Sequence, residues 1–220
     1  MTRARRIALG DAAKRALDLV LSFVALALLL LPLLVLGLAI RLDSRGPSIF
    51  RQRRIGRNGR AFDVYKLRTM VVGAVEKGRG YGVQEGDARI TRVGRVLRDW
   101  GLDELPQLLN VLRGDMSVVG PRPALAYQVE QYDEIQKRRL EVLPGITGWA
   151  LVNGRRTLSW EQRIALDVWY VDHRSFLLDL RIMLKTLKVV LITREGLYAS
   201  DPVGTFGSGW DEQRGEGESE

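Results

Sequence analysis

The alternation of apolar and charged positions divides the chain into three parts. Leu19–Ile40 contains no charged side chain, while basic residues stand on both sides of it. At about 1.5 Å of helical rise per residue, roughly 20 apolar residues are enough to cross a bilayer. The pattern predicts a basic N-terminus and membrane anchor over residues 1–45, a cytoplasmic domain over 46–198, and a Gly-rich acidic tail over 199–220 that we expect to be disordered.

Pro32 lies in the middle of the apolar run. A proline inside a helix removes a hydrogen bond and kinks the helix. The basic residues on both flanks would keep both ends in the cytoplasm. A re-entrant helix that breaks at Pro32 satisfies both observations, so we favour it over a single-pass helix. A signal peptide fits less well because the run is too long and lacks a small-residue cleavage site.

The domain begins with two predicted strands, Ile49–Ile55 and Ala61–Met70, around a Gly56–Gly59 hairpin turn. Helical patterns follow at residues 89–100, 104–112, 124–140, from a Ser159 cap onward, and 177–193. We therefore expect an α+β fold that is predominantly helical, with a re-entrant helix broken at Pro32, a small β-hairpin and amphipathic interfacial helices.

The last predicted helix places Arg181, Lys185 and Lys188 on one face and leucines on the other. This fits a helix in the membrane interface and, equally, a core-packing helix. Between the elements, Val72–Gly86 is rich in glycine and is interpreted as a mobile loop or lid. Its glycines match neither a P-loop nor a dinucleotide-binding fingerprint. Residues 143–149 are interpreted as a loop.

The amino-acid composition limits which ligands and catalytic groups the protein can use. The net charge of +8 attracts anions such as lipid headgroups, phosphorylated substrates or nucleic acid. The absence of cysteine excludes disulfides, thiolate nucleophiles and Cys-ligated zinc, and the single histidine, His173, excludes a multi-histidine metal site. Any metal would be held mainly by oxygen, which favours Mg²⁺ or Mn²⁺, and carboxylates become the leading catalytic candidates.

Two adjacent carboxylates, Asp103 and Glu104, open the stretch LDELPQLLNVLRGDMSVVGPRP, which ends with Arg122 between two prolines. They directly follow a basic segment. A structural alternative is that Asp103 is the N-cap of the helix at 104–112, which Gly114 would end. The residues alone leave both interpretations open.

The chain resembles the bacterial sugar transferase family, the monotopic phosphoglycosyl transferases, from about residue 14 to 195. The resemblance lies in the apolar segment with Pro32 and in four motifs: FDVYKLRTM, the central stretch, LPGITGWALVNGRR and DVWYVDHRSFLLDLRIMLKTL. One departure is Leu31, where the family has a serine before the proline. The resemblance implies a minimal catalytic form without a larger N-terminal membrane region.

The resemblance implies transfer of a sugar-1-phosphate from a UDP-sugar to undecaprenyl phosphate at the cytoplasmic face of the bacterial inner membrane. Asp103 would be the nucleophile that forms a covalent phosphosugar intermediate, and Glu104 would help it hold Mg²⁺. Four further residues would bind phosphate: Lys66, Arg98, Arg155 and Arg122. Asp179 falls in a matching segment and is a further candidate site residue. His173 would not be catalytic.

Two alternatives remain open. A membrane-anchored basic adaptor would bind anionic lipid or nucleic acid without catalysis, although the chain has no recognisable nucleic-acid fold. A soluble phosphotransferase would bury the apolar segment as a hairpin. The sequence leaves open which sugar is transferred, with glucose and galactose as first guesses, and whether the protein is a homodimer.

Overall fold

A 41-residue helix, α1 (Arg3–Asp43), leads into an α+β body in the computed structural model. The structure describes residues 3–74, 86–154 and 158–189, with side chains from residue 10 onward. The body contains β1 (Ile49–Ile55), β2 (Ala61–Leu67), α2 (Arg92–Asp99), α3 (Gln107–Arg113), β3 (Ser117–Val119), α4 (Ala126–Glu130), α5 (Glu134–Lys137), β4 (Gly145–Thr147), α6 (Trp149–Asn153), α7 (Trp160–His173) and α8 (Phe176–Lys188). The predicted fold class, α+β and predominantly helical, is confirmed.

The β1–β2 hairpin forms as the sequence predicts. The strands pair antiparallel from Ile49 opposite Leu67 to Ile55 opposite Ala61. The turn places Asn58 at φ 56° and Gly59 at φ 73°, a region that Asn and Gly tolerate. The second strand ends at Leu67 rather than Met70. The next residue, Arg68, contacts the connection between α1 and β1, whereas Lys66 contacts a different part of the body.

Arg68 binds that connection through several carbonyl oxygens. Its Nε donates to Pro47 O at 2.7 Å and its Nη2 to Ser44 O at 2.8 Å. Nη1 also donates to Ser44 Oγ at 2.8 Å. Because the Arg68 side chain is only 6% exposed, these bonds form inside the protein. They fix the end of α1 to the end of β2.

A second, parallel pair of strands was not predicted. Residues 145–147, interpreted as loop, form β4 against β3, where Ser117 faces Gly145 and Val119 faces Thr147. A Cβ at Gly120 would lie 2.4 Å from Leu143 O, so only glycine allows the backbones to come this close. Because β3 ends one residue before Gly120, this pairing fixes the start of the segment that carries Arg122.

The single helix predicted over residues 124–140 is wrong. The structure has α4, α5 and a 3₁₀ turn, Arg138–Glu141, in its place. Asp133 stops the continuous helix because its side chain accepts a hydrogen bond from Gln136 N at 2.8 Å and caps α5. Tyr132, only 4% exposed, is drawn into the core at the same break. The predicted Ser159 cap of α7 is confirmed, with Gln162 N donating to Ser159 Oγ at 3.2 Å.

Both ends of α1 contact the body. Near its start, Lys14 Nζ donates to Asp179 Oδ2 on α8 at 2.7 Å, and Asp18 Oδ1 accepts from Val118 N at 3.1 Å. At its other end, Ile40 is 1% exposed and packs with Leu67 and other core residues. The body therefore binds α1 on either side of its middle.

The middle of α1 is apolar and exposed. Gly10–Asp43 is long and apolar enough to cross a membrane by length and composition. Only 6% of its most apolar window is buried, so the apolar run is not the buried hairpin of a soluble enzyme. The helix also continues through Pro32, which corrects the predicted break there. A proline removes only one hydrogen bond, and apolar residues on either side continue the helix. The re-entrant arrangement stays a prediction.

The last helix, α8, contacts the core and also exposes leucines. Ile182 is 0% exposed and packs with Val119 and Tyr170. Outside, Leu177 is 76% exposed and Leu184 is 60% exposed. Core packing and an outward apolar strip therefore occur on one helix, and the strip is available for an interface.

Candidate active site

Glu104 is the centre of a buried group of charges. Its side chain is 3% exposed, and its Oε1 accepts from Lys66 Nζ at 2.8 Å and from Arg122 Nη2 at 3.2 Å. Its Oε2 accepts from Gln107 Nε2 at 2.9 Å. The structure thus brings together Lys66, Glu104 and Arg122, which are far apart in the sequence.

Asp103 is next to this group and differs from it in one respect. Its carboxylate makes no hydrogen bond or ion pair with the part of the chain that the structure describes, although Lys66, Arg98 and Arg122 act on it electrostatically. The two adjacent acids are therefore not equivalent. Glu104 binds the surrounding side chains, while the Asp103 carboxylate has no hydrogen-bond partner among the described residues.

The local backbone explains this division. Gly101 at φ 66° starts a 3₁₀ turn, Leu102–Glu104, and α3 begins only at Gln107, after Pro106. Asp103 therefore does not cap a helix, and the structural alternative for this residue is wrong. The predicted end of the helix at Gly114 is confirmed, with φ 90°. The turn presents both carboxylates in front of α3 instead of within it.

Lys66 reaches the site because α3 is joined to β2 by one buried amide. Asn110, 0% exposed, accepts from Tyr65 N at 3.1 Å and donates to Asp63 O at 2.7 Å. These are the bonds that a neighbouring strand would make. They hold β2 beside α3, so the next residue, Lys66, faces Glu104.

The backbone of Arg122 is held in place by a buried ion pair. Its carbonyl oxygen accepts from Arg139 Nη2 at 3.0 Å, and the same nitrogen donates to Asp167 Oδ2 at 2.6 Å. Arg139 and Asp167 are both 3% exposed. This buried ion pair fixes the backbone at Arg122 and leaves its guanidinium directed at Glu104.

Arg98 lies on α2 near Asp103. Its Nε donates to Thr69 Oγ1 at 2.8 Å, just beyond β2. Burial lowers the pKa of Arg98, and the charge of Asp103 opposes that shift, so the two groups lie within electrostatic reach. The structure therefore places Arg98 at the edge of the site.

The two acids have opposite pKa shifts. Burial, assisted by the charge of Glu104, raises the pKa of Asp103 to about 6. Burial also acts to raise the pKa of Glu104, but Arg122 and Lys66 outweigh it and lower the pKa to about 2. Glu104 is thus a permanent anion, whereas Asp103 titrates closer to neutrality. Such a pair is typical of a reactive centre.

Among the described residues, one predicted site residue, Asp179, does not join this group. Asp179 lies between α1 and α8, where it binds Lys14 and accepts from Tyr170 Oη at 2.6 Å. Its contacts hold elements together, so a role in the chemistry remains a prediction without support from its contacts. Arg155 lies outside the described residues, as does most of the predicted lid, residues 75–85.

The family model described as bacterial sugar transferase matches residues 9–193. The chain belongs to the bacterial sugar transferase family. This confirms the predicted family and decides for an enzyme over a non-catalytic adaptor.

Relatives of the sugar transferase are similar over most of its length. A protein of Bacillus subtilis named uncharacterized sugar transferase EpsL is 45% identical over 86% of this chain and 92% of its own. The UDP-glucose:undecaprenyl-phosphate glucose-1-phosphate transferase of Caulobacter vibrioides is 46% identical over 83% of this chain and 71% of its own. The exopolysaccharide production protein ExoY of Rhizobium meliloti is 41% identical over 84% of this chain and 88% of its own.

Asp103 and Glu104 of the sugar transferase are suited to a metal site that is completed by substrate phosphates. Within the described residues, no group of three or more Asp, Glu, His or Cys side chains is arranged to hold a metal. Mg²⁺ commonly binds through one or two carboxylates together with substrate phosphates, so Asp103 with a diphosphate fits it. Glu104 Oε1 already accepts from Lys66 and Arg122, whereas Oε2 accepts from Gln107 and keeps a further lone pair. Its part in binding metal stays a prediction.

Sequence reasoning missed Gln107 and Asn110 in the sugar transferase site. Both are amides on the buried face of α3, at most 2% exposed. The sequence did contain a signal for them: two amides three residues apart on the apolar face of a predicted helix. A buried amide needs a hydrogen-bond partner, so such residues are expected to bind other buried groups. The partners themselves come from elsewhere in the chain or from the preceding turn.

Proposed function

We propose that this sugar transferase moves a sugar-1-phosphate from a UDP-sugar to undecaprenyl phosphate and releases UMP. The proposal is supported by the name of the Caulobacter relative, which includes both substrates and the transferred group. It is carried by one observation: Asp103, a carboxylate without a bond to the described residues, lies beside the cations that hold Glu104. An unengaged acid among cations suits attack on a phosphate.

In the first step, one Asp103 oxygen attacks the β-phosphorus of the donor. The new bond joins this oxygen to phosphorus, and the bond from the β-phosphorus to the bridging oxygen breaks. The bridging oxygen leaves with the electron pair as part of UMP. Asp103 then carries the sugar phosphate as an acyl phosphate, which splits one difficult transfer into two steps.

In the second step, a phosphate oxygen of the lipid acceptor attacks the same phosphorus. The bond to Asp103 breaks, the carboxylate recovers its electron pair, and the lipid-linked diphosphosugar leaves. No general base is needed because both nucleophiles are anions in their reactive form. The net reaction exchanges UMP for the lipid phosphate.

The cations make these encounters between anions favourable. Lys66 and Arg122 are held by Glu104 at 2.8 Å and 3.2 Å, so they are in place before substrate arrives. An arginine can also bind two phosphate oxygens at once. Arg98 and Arg155 are proposed to bind phosphate at the edges of the site. When bound, Mg²⁺ would neutralise diphosphate charge beside Asp103.

We place the enzyme at the cytoplasmic face of the membrane. The basic residues on both sides of the apolar run support this placement. The body contacts α1 on both sides of its exposed apolar middle. A UDP-sugar would reach the site from the cytoplasm, and the lipid phosphate would reach it from the headgroup layer.

The test is UMP release by protein held in nanodiscs with Mg²⁺, undecaprenyl phosphate and a donor panel headed by UDP-glucose. We expect UMP from the wild type, a sugar-phosphate adduct on Asp103 when lipid is omitted, and neither product from Asp103→Asn. Asp133→Asn is the matched control, because Asn caps a helix about as well as Asp.

Two results would contradict the proposal. Full activity of Asp103→Asn would exclude the covalent step. Lipid product without any adduct on the wild type, measured by mass spectrometry of enzyme trapped before lipid addition, would indicate direct transfer between the two substrates.

A further inference from the structure

The outer edge of α2 carries two apolar side chains that the proposed chemistry does not use. Val96 is 55% exposed and Trp100 is 41% exposed. They are four residues apart, so they lie on one face of the helix. Trp100 also precedes Asp103 by three residues, and the short 3₁₀ turn keeps the two close together.

The inner face of α2 is firmly attached to the body and to α1. Leu97, 1% exposed, packs in the cluster that contains Ile40 of α1. Val93 N donates to Asp43 Oδ2 at the end of α1, at 3.0 Å. A Cβ at Gly94 would lie 2.0 Å from a backbone oxygen of the segment after β2, so the two backbones are in close contact. The outer face is therefore presented rigidly beside the apolar helix.

The surroundings of this edge are basic on one side and apolar on the other. Arg92 and Arg95 are exposed on α2 together with one acid, Asp99, so the exposed charge of this helix is net positive. The adjoining end of α1 exposes Leu38 and Leu42, which are 60% and 80% accessible. A ligand that combines an anionic head with an apolar chain would match both parts.

We propose that Val96 and Trp100 form the docking surface for the first isoprene units of the lipid acceptor. This inference rests on the proposed function. Arg92 and Arg95 attract the anionic lipid to this side of the body, its phosphate then lies at Asp103, and the neighbouring apolar surface of α1 receives the rest of the chain. The surface lies beside the nucleophile, where an acceptor must bind and where an ordinary membrane lipid would obstruct transfer.

The test separates the two half-reactions of enzyme in nanodiscs. Trp100→Ala should form the Asp103 adduct and release one equivalent of UMP at the wild-type rate. Its KM for undecaprenyl phosphate should rise at least about tenfold, because most of the contact area of the ring is lost. Trp100→Phe should restore most of the affinity. Val96→Ser, a smaller change, should raise the KM in the same direction.

Ile135→Ala is the matched control, since Ile135 on α5 is 67% exposed and lies on a different element. It should leave both half-reactions unchanged. Binding to liposomes without acceptor should be equal for Trp100→Ala and wild type.

An unchanged KM for acceptor in both Trp100→Ala and Val96→Ser would overturn the inference, as would an equal loss in both half-reactions. Loss of liposome binding would also overturn it, because the surface would then bind bulk lipid. If the wild type releases no UMP from any donor, the proposed function itself has failed, and this result is distinct from all of the others.

Discussion

At the scale of single residues, the site depends on an asymmetry between neighbours. Glu104 is bonded on both oxygens and orients two cations, whereas Asp103 is bonded to none of the described side chains. The sequence shows two acids side by side and cannot distinguish them, because the partners of Glu104 come from β2, α3 and the segment after β3. Two predictions follow from the surroundings of these acids.

Adduct formation should lose activity at acid pH. Because the pKa of Asp103 is raised to about 6, the reactive carboxylate becomes protonated below that pH, and the rate should then fall about tenfold per pH unit. Mg²⁺ favours the ionised form, so raising its concentration should move the acid limb to lower pH. Single-turnover UMP release across the acid and neutral range measures both effects. An acid limb at the ordinary aspartate pKa of about 4, unaffected by Mg²⁺, would contradict them.

Gln107→Met should impair the enzyme although the residue touches no substrate in our proposal. The change removes the amide that binds Glu104 at 2.9 Å, so Glu104 and its two cations can shift. We expect kcat/KM to fall roughly tenfold or more and unfolding free energy to drop by about 1.5–3 kcal/mol. Enzyme assays and urea denaturation measure these values. Gln131→Met, at an exposed position, should change neither.

At the scale of elements, the sequence predicted correctly those features that depend only on neighbouring residues. The strand β1, the Asn58 turn, the Ser159 cap and the Gly114 helix end follow from residues within a few positions of each other. Elements that depend on distant partners were missed. The β3–β4 pair needs glycines from two segments, and the helix over residues 124–140 breaks where Tyr132 enters a core formed by other elements.

Gly120→Ala should separate β3 from β4. Its Cβ would lie 2.4 Å from Leu143 O and 2.9 Å from Gly145 N, so backbone must move. We expect a loss of about 1–3 kcal/mol in stability and a larger loss of activity, because the shift displaces Arg122. Thermal denaturation and kcat/KM for the donor test this. Gly10→Ala, inside α1 where a Cβ meets nothing within 4 Å, is the control and should lower neither, because Ala is the better helix former.

At the scale of the whole molecule, the body and the membrane helix form one unit. Contacts at Lys14, Asp18, Ile40 and Asp43 hold α1 on both sides of its exposed middle. The sequence predicted the anchor and its same-side ends from charge, but it did not predict these contacts. They hold the exposed apolar middle of α1 between two fixed ends.

Cysteine labelling can test the re-entrant arrangement, because the chain contains no cysteine of its own. We expect Ala12→Cys and Arg45→Cys, both at exposed positions, to react with a membrane-impermeant maleimide only from the cytoplasmic side. Leu31→Cys, 71% exposed but in the apolar middle, should react from neither side. Labelling of Ala12→Cys and Arg45→Cys from opposite sides of inverted and right-side-out vesicles would establish a spanning helix.

The bonds of Arg68 to Ser44 and Pro47 have a consequence for which lipids the enzyme can reach. The buried guanidinium of Arg68 joins the end of α1 to the end of β2. Lys66 lies on β2, two residues before Arg68, so it is connected rigidly to α1. If α1 lies in a bilayer, the Lys66 ammonium therefore stands at a fixed height above the hydrocarbon. We therefore expect the depth of a lipid phosphate in the bilayer, in addition to the chain of that lipid, to affect whether it reaches Lys66.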